Sequence, residues 1–241
     1  MKRIAIIGAG LAGISAARRL KDAAEVTVFD KSRGIGGRLA TRYADPFKFD
    51  HGAQYFTARS PEFKAVIAPL LKDGHVRPWA PRVLTHKDQA DKFKSEARFV
   101  GIPRMNVLGK KLSASLDVVT QVRIESIERL SGHWYLTDQA GKTWGQYDVV
   151  IMASPAPQTV ALIPQGFADK AALNAVEMLP GFTAMLGFAG PWGGEWDAMM
   201  LTGTPISFAA VNSTKPGRDA SVTCIVVQST NAWAKERVDT D

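Results

Sequence analysis

Gly8, Gly10 and Gly13 in the opening run "KRIAIIGAGLAGISAARRL" stand in the spacing G-x-G-x-x-G. Residues of this type do binding chemistry. Gly8 permits a tight turn out of a strand, Gly10 lets backbone approach a pyrophosphate, and Gly13 lets a following helix sit close on the sheet. The N-terminus of that helix offers free N–H groups and a positive dipole end to the phosphates. Asp30, about twenty residues past the glycines, is the acid that a ribose hydroxyl pair needs. A second loop, "KSRGIGGRLATRY", adds Gly34, Gly36 and Gly37 with Arg38, a guanidinium able to hold a pyrophosphate bidentately.

These residues need a particular order of elements to position them. Ile4 to Ile7 are strand-favouring, and Leu11, Ile14, Ala17 and Leu20 recur at helical spacing, so a helix is expected over Ile14 to Lys21. Glu25 to Phe29 reads as the second strand, with Asp30 at its end. The same opening has the charge order and apolar length of an export signal. Strand, turn, helix, strand and acid in succession favour the nucleotide-binding unit instead, because cleavage of a signal would remove the glycine loop. Asp30 would repel a 2′-phosphate, while Lys31 and Arg33 leave NADP open. The second glycine loop favours FAD over NAD.

The run from Gly8 to Tyr55, with "GIGGRLATR" and "FDHGAQYFTA", resembles the flavin amine-oxidase superfamily. Within it, "RFVGIPRMNVL", "YDVVIMASPAPQ" and "NSTKPGR" extend the resemblance to the bacterial renalase-type oxidoreductases. That resemblance implies an α/β fold: a Rossmann-type FAD-binding domain with a parallel sheet, interleaved with a smaller α+β substrate domain that roofs the flavin. The expected division is 1–57 and 101–154 for the FAD-binding domain, and 58–100 and 155–241 for the substrate domain. It implies non-covalent FAD, with Asp30 on the adenosine ribose and Lys31 beside it. Gly37 and Arg38 would meet the pyrophosphate, the backbone near Ala12 a phosphate, Gln54 and Tyr55 the isoalloxazine ring, and the Val122 backbone the adenine. Relatives continue past the point where this chain stops, so a flavin-facing C-terminal segment is expected to be missing and FAD retention to be weak.

Three functions follow as expectations. The first is an oxidase that takes a hydride from dihydronicotinamide dinucleotide isomers and passes electrons to oxygen, giving NAD and hydrogen peroxide. The second is a flavin amine oxidase or desaturase-like enzyme acting on a small apolar amine. The third is a truncated nucleotide-binding module without turnover.

Elsewhere the pattern predicts a strand over Val118 to Ile124, a hairpin turning at Gln139 to Gly141, and a strand over Asp148 to Met152. Pro61 to Lys72 reads as a helix capped by Ser60, and Gly101 to Leu116 as helical after Pro103. A short helix after Pro155 precedes strands at Thr183 to Phe188, Ile206 to Val211 and Val222 to Val227. The stretch "GFTAMLGFAGPWGGEWDAMML" is either core packing or an apolar wall over a flavin. Lys215 and Arg218 are either turn charges or anion contacts. His51 beside Asp50 is expected to be structural rather than a base, and His75, His86 and His133 share no metal-ligand spacing, so no metal is expected.

The 241 residues are 46% hydrophobic and 22% charged, an ordinary globular composition. A net charge of +7 comes from scattered Lys and Arg, which argues against nucleic acid and leaves an attraction for an anionic small molecule. No apolar run reaches membrane-spanning length. Cys224 is the single cysteine, so an intrachain disulfide is excluded and a cytoplasmic setting is expected.

Overall fold

The computed structural model describes residues 1–85 and 96–238. His86 therefore lies outside the described residues. In chain order the elements begin with β1 (Lys2–Ile7), α1 (Leu11–Leu20), β2 (Ala24–Asp30), β3 (Arg42–Ala44), β4 (Phe47–Phe49), β5 (Phe56–Thr57), α2 (Pro61–Lys72), β6 (Val76–Pro78), β7 (Val83–Thr85) and β8 (Arg98–Gly101). There follow α3 (Val107–Leu112), β9 (Asp117–Thr120), β10 (Ile124–Leu130), β11 (His133–Asp138), β12 (Thr143–Tyr147), β13 (Val149–Met152), α4 (Ala156–Val160) and α5 (Lys170–Asn174). The last are β14 (Thr183–Ala189), β15 (Ala198–Met200), β16 (Ile206–Val211), β17 (Val222–Ser229) and α6 (Asn231–Lys235). Among the described residues, no helix is long and apolar enough to cross a membrane.

The chain forms two compact units, Met1–Leu39 with Gly109–Met178 and Ala40–Leu108 with Leu179–Asp241. In the first, a parallel sheet runs β13-β1-β2-β9. Its central strand β1 is apolar on both faces because both are covered. Ile4 and Ile6 pack with Ala9, Ala17, Ala24 and Val28, while Ala5 and Ile7 pack with Phe29, Ile124, Leu136 and Tyr147 from the opposite side. The antiparallel meander β10-β11-β12 supplies that second cover, turning through Gly141 at φ 77° as the hairpin pattern predicts.

In the second unit, a five-stranded sheet runs β14-β17-β16-β15-β7, and Phe49, Cys224 and Val226 pack on its face. A smaller antiparallel sheet, β5-β8-β6, stands beside α2, whose start is capped by Ser60 Oγ accepting from the Phe63 amide at 3.2 Å. Proline at the first helical position and the Ser cap are the signals that placed this helix in the sequence.

In the second unit, residues 40–57 pair with the rest of it through β5 and β8, and α4 and α5 lie in the first unit. There Thr159 bonds Ser154 at 2.9 Å and Leu162 packs on the Phe29 cluster. Two expectations change. The strand expected over Val118 to Ile124 breaks after Thr120, where Gln121 takes φ 61°. The Gln139 carboxamide holds the kink by bonding Arg123 N at 2.6 Å and Gln121 O at 3.0 Å, so the chain leaves the parallel sheet for the meander. The helix expected from Gly101 to Leu116 is confined to α3, because Gly101 is paired with Val76 in the β6–β8 ladder and Leu116 N closes a turn on Ser113 O.

Candidate functional site

In the first unit, the site is made of backbone. The chain leaves β1 at Gly8, whose φ of +114° is a conformation that L side chains rarely adopt. A Cβ at Gly13 would lie 1.9 Å from Gly8 O, so only glycine lets α1 start this close to the turn. Gly10 caps α1 with no side-chain bond, and no acid stands in the first turn, which leaves the leading amides of a ten-residue helix for an anion. Ala12 is exposed on that turn.

The second glycine loop lies directly on the first. Gly36 N donates to Ala9 O at 2.9 Å, Gly10 and Gly36 form a parallel bridge, and a Cβ on Gly37 would come within 3.3 Å of Gly10 Cα. The side of Gly10 where a Cβ would stand is open, with nothing within 4 Å. Gly109 completes this packing from α3, since its Cβ would meet Gly36 Cα at 2.8 Å. Sequence reading passed over Gly109, although a glycine inside a helical pattern costs helix stability and so invites a packing reason.

Asp30 ends β2 beside this cradle. Its Oδ2 accepts from Ala9 N and its Oδ1 from Ser32 N, each at 2.7 Å, so the carboxylate is oriented and each oxygen keeps a lone pair for a ribose hydroxyl. Arg38 is exposed, with no hydrogen bond or ion pair among the described residues. Lys31 Nζ donates to Gln158 Oε1 at 3.2 Å. Val122 N donates to Asp30 O at 3.0 Å, which leaves its carbonyl as the group an adenine amine would meet. An elongated diphosphate with an adenosine end fits this donor set: open backbone at Gly10, free amides, one oriented carboxylate and one guanidinium.

Gln54 and Tyr55 belong to the second unit, where side chains make the arrangement. Asp50 is fully buried and accepts from Arg218 Nη2 at 2.6 Å, Thr41 Oγ1 at 2.7 Å and Met105 N at 3.1 Å. Arg218 also donates to Gly101 O at 2.7 Å, and burial pushes its guanidinium below the usual range while Asp50 opposes that shift. Lys215, 2% exposed, donates from Nζ to Gln54 Oε1 at 2.9 Å. The Gln54 amide nitrogen donates in turn to the carbonyls of Asp50 and Gly52. Burial lowers the Lys215 amine from 10.5 to about 7, with Asp50 pulling it up and Arg218 pushing it further down.

Around these charges lies a group of rings. Tyr55 is 5.9 Å from Trp79 and 6.1 Å from Phe208 by ring centres, and the Arg98 guanidinium stands 5.3 Å over Tyr55. Lys215 and Arg218 are thus neither exposed turn charges nor open anion contacts; both are buried and directed at Gln54 and Asp50. His51 accepts from Thr183 through its backbone carbonyl, and among the described residues its buried Nδ1 has no partner. In the aromatic stretch, Met185 packs on the Phe49 cluster, but Leu186 and Phe188 on the same strand are exposed, so β14 is not core throughout. Asp50 was not singled out as the partner of Arg218 in the sequence, because nothing local announces a pairing across 168 residues, and Trp79, Arg98 and Thr41 were not singled out either.

A parallel sheet with a glycine turn between β1 and α1 and an acid closing β2 defines a Rossmann-like dinucleotide-binding fold. Residues 6–70 match the NAD(P)-binding Rossmann-like domain family. The chain is 29% identical over 126 residues to the coproporphyrinogen III oxidase of Mycobacterium tuberculosis, covering 50% of this chain and 27% of that protein. It is 36% identical over 70 residues to protoporphyrinogen oxidase 2 of Arabidopsis thaliana, covering 29% of this chain and 14% of that one. The chain thus spans about a quarter or less of the length of these relatives. Its fold is shared with a candidate protoporphyrinogen oxidase from Exiguobacterium sp. 255-15, with a TM-score of 0.71 at 13% identity over 98% of this chain and 81% of the other. It is shared equally with a putrescine oxidase bound to putrescine, with a TM-score of 0.70 at 11% identity over 100% and 78%.

Proposed function

We propose that this chain is an FAD-dependent oxidoreductase of the flavin amine-oxidase and porphyrinogen-oxidase type, acting in the cytoplasm, where buried Cys224 stays a thiol. The observation that carries the reading is the pair of glycine loops joined through Gly36 N and Ala9 O, with Gly10 open between them and Asp30 and Arg38 at the sides. An NAD site needs only the first loop; the second adds backbone and a guanidinium beside the pyrophosphate, an addition that favours FAD. The flavin, when bound, supplies hydride acceptance and electron transfer to oxygen. The chain's own part is to bind, orient and exclude water: Asp30 for ribose, the α1 amides and Arg38 for phosphates, the Val122 carbonyl for adenine, and Gln54 with Tyr55 for the ring.

The substrate we infer is a dihydronicotinamide dinucleotide isomer, as in renalase-type enzymes. It would give up a hydride and, with one proton and one oxygen molecule, yield NAD and hydrogen peroxide. The chain's net charge of +7 favours such an anionic molecule. A second reading, oxidation of a small amine, is favoured by the rings of Trp79 and Phe208 that both stand against Tyr55.

The test is an absorbance titration of the purified chain with FAD, followed by anaerobic addition of dihydronicotinamide isomers, putrescine and coproporphyrinogen III in turn. A flavin band that bleaches with the isomers upholds the first reading, and bleaching by the amine alone replaces it with the second. Bleaching by the porphyrinogen transfers the assignment to the chemistry named for the mycobacterial relative. A protein that never acquires the band is a nucleotide-binding module without turnover.

A further inference from the structure

Lys215 has no part in the cofactor contacts described above, yet it is among the most buried long side chains of the second unit. Its Nζ is 2.9 Å from Gln54 Oε1 and 5.3 Å from the ring centre of Trp79. The other end of the Gln54 carboxamide is fixed, because its nitrogen is taken by the carbonyls of Asp50 and Gly52. The carboxamide therefore has one orientation, with its oxygen toward the amine. Gln54 is bonded to Tyr55, and Tyr55 packs on the same Trp79 that Lys215 approaches. An event at the amine thus reaches Tyr55 both along the chain and through a ring.

We propose that Lys215 is a positioning residue that acts through Gln54: its amine orients the carboxamide and, by gaining or losing a proton, sets how firmly residues 50–55 are held. What this does to a flavin rests on the reading above, whereas the coupling of Lys215 to Gln54 does not. Asp50 on the 50–55 loop favours the charged amine, and Arg218 on the 212–218 turn opposes it. Arg104 acts on Arg218, and Arg98 on β8 faces Tyr55. Burial brings the balance of these to about 7, so both forms of the amine are populated at neutral pH. The ammonium donates a charge-assisted bond to Gln54, whereas the neutral amine donates a weaker one and carries a free lone pair.

The experiment follows the Gln54 side-chain amide by NMR in the full chain between about pH 5.5 and 9, a window chosen to bracket the titration of a buried lysine. The wild type is expected to show one transition with a midpoint near that of Lys215. In Lys215→Met the transition is lost, and in Lys215→Arg, which stays charged, the resonance holds one position throughout. A flat wild-type resonance, or a transition that persists in Lys215→Met, overturns the proposal. If Lys215→Met does not fold, Lys215→Arg carries the same comparison, and a persisting transition there overturns it equally. A second arm measures the FAD dissociation constant at about pH 6 and 8.5, where the exchange of a charged for a neutral bond predicts a change of about threefold to tenfold in the wild type and none in either variant. An equal change in all three proteins overturns the consequence at the flavin. If no form binds FAD, the flavin reading falls and the NMR result alone decides the coupling.

Discussion

In the first unit, the groups that would hold a cofactor, the Val122 carbonyl apart, lie between Gly8 and Arg38 and are mostly backbone groups made accessible by glycine. In the second, Gln54 and Lys215 are 161 residues apart, and Asp50 and Arg218 are 168 apart, yet the two buried pairs are joined where the Gln54 side chain donates to the Asp50 carbonyl. A backbone site tolerates nearly any change that leaves the main chain free to approach its ligand, and fails when a single methyl blocks that approach. A network of buried charges behaves in the opposite way: it tolerates no unpaired member, because each charge has given up its water. The two regions therefore separate in experiment, one through binding and the other through stability.

The largest effect is expected at Asp50. Asp50→Asn leaves the Arg218 guanidinium, 4% exposed, without its counter-charge, and removal of one partner from a buried pair costs about 3–5 kcal/mol. Urea unfolding at neutral pH measures this, and a loss under about 1 kcal/mol would mean that water reaches Arg218. Next comes Gly13→Ala, where the new Cβ would stand 1.9 Å from Gly8 O. Helix α1 must shift from its turn, at about 1–3 kcal/mol as for other overpacked sites, and FAD binding should fall with stability. If stability falls while FAD binding holds, the packing of α1 is structural only, and the comparison loses its first half.

Lys215 sharpens the contrast through pH. Its folded-state value of about 7 lies below the ordinary 10.5, so between these values the unfolded chain binds the extra proton. Stability from this group therefore rises as pH increases from about 7 toward 10, by up to ~1.4 kcal/mol per unit, and is flat below that window. In Lys215→Met this contribution to the slope should vanish, a difference that urea unfolding of both proteins at several pH values would reveal.

The sequence disclosed what depends on short spacing. The glycines, the β1–α1–β2 order, Asp30 and the Ser60 cap are local patterns whose geometry follows from three or four neighbouring residues. It did not disclose the break at Gln121, because the residue that holds it, Gln139, arrives from the next hairpin. Nor did it show that Lys215 and Arg218 are buried: a lysine and an arginine flanking Pro216 and Gly217 read as an exposed turn, and only Asp50 and Gln54 make burial tolerable. Gly109 lay between these cases. Its presence in a helical run was visible, but the partner that requires it, Gly36, was not.

The smallest expected change in stability tests the first unit most directly. Gly10 sits at φ −72° and ψ 177°, which any residue adopts, and nothing lies within 4 Å of the position its Cβ would take. Gly10→Ala should therefore fold normally, losing no more than about 1 kcal/mol for the poorer helix cap. The added methyl nevertheless projects into the open face of Gly10, where the proposed pyrophosphate would lie. A tenfold or greater loss of FAD affinity is expected, equivalent to about 1.4 kcal/mol or more, in a protein whose unfolding curve is nearly unchanged. The same titration with ADP separates causes: a parallel loss places the obstruction at the phosphates, while unchanged ADP binding would move the pyrophosphate away from Gly10. Equal affinity of wild type and variant for both ligands would show that the open face of Gly10 is not a phosphate seat.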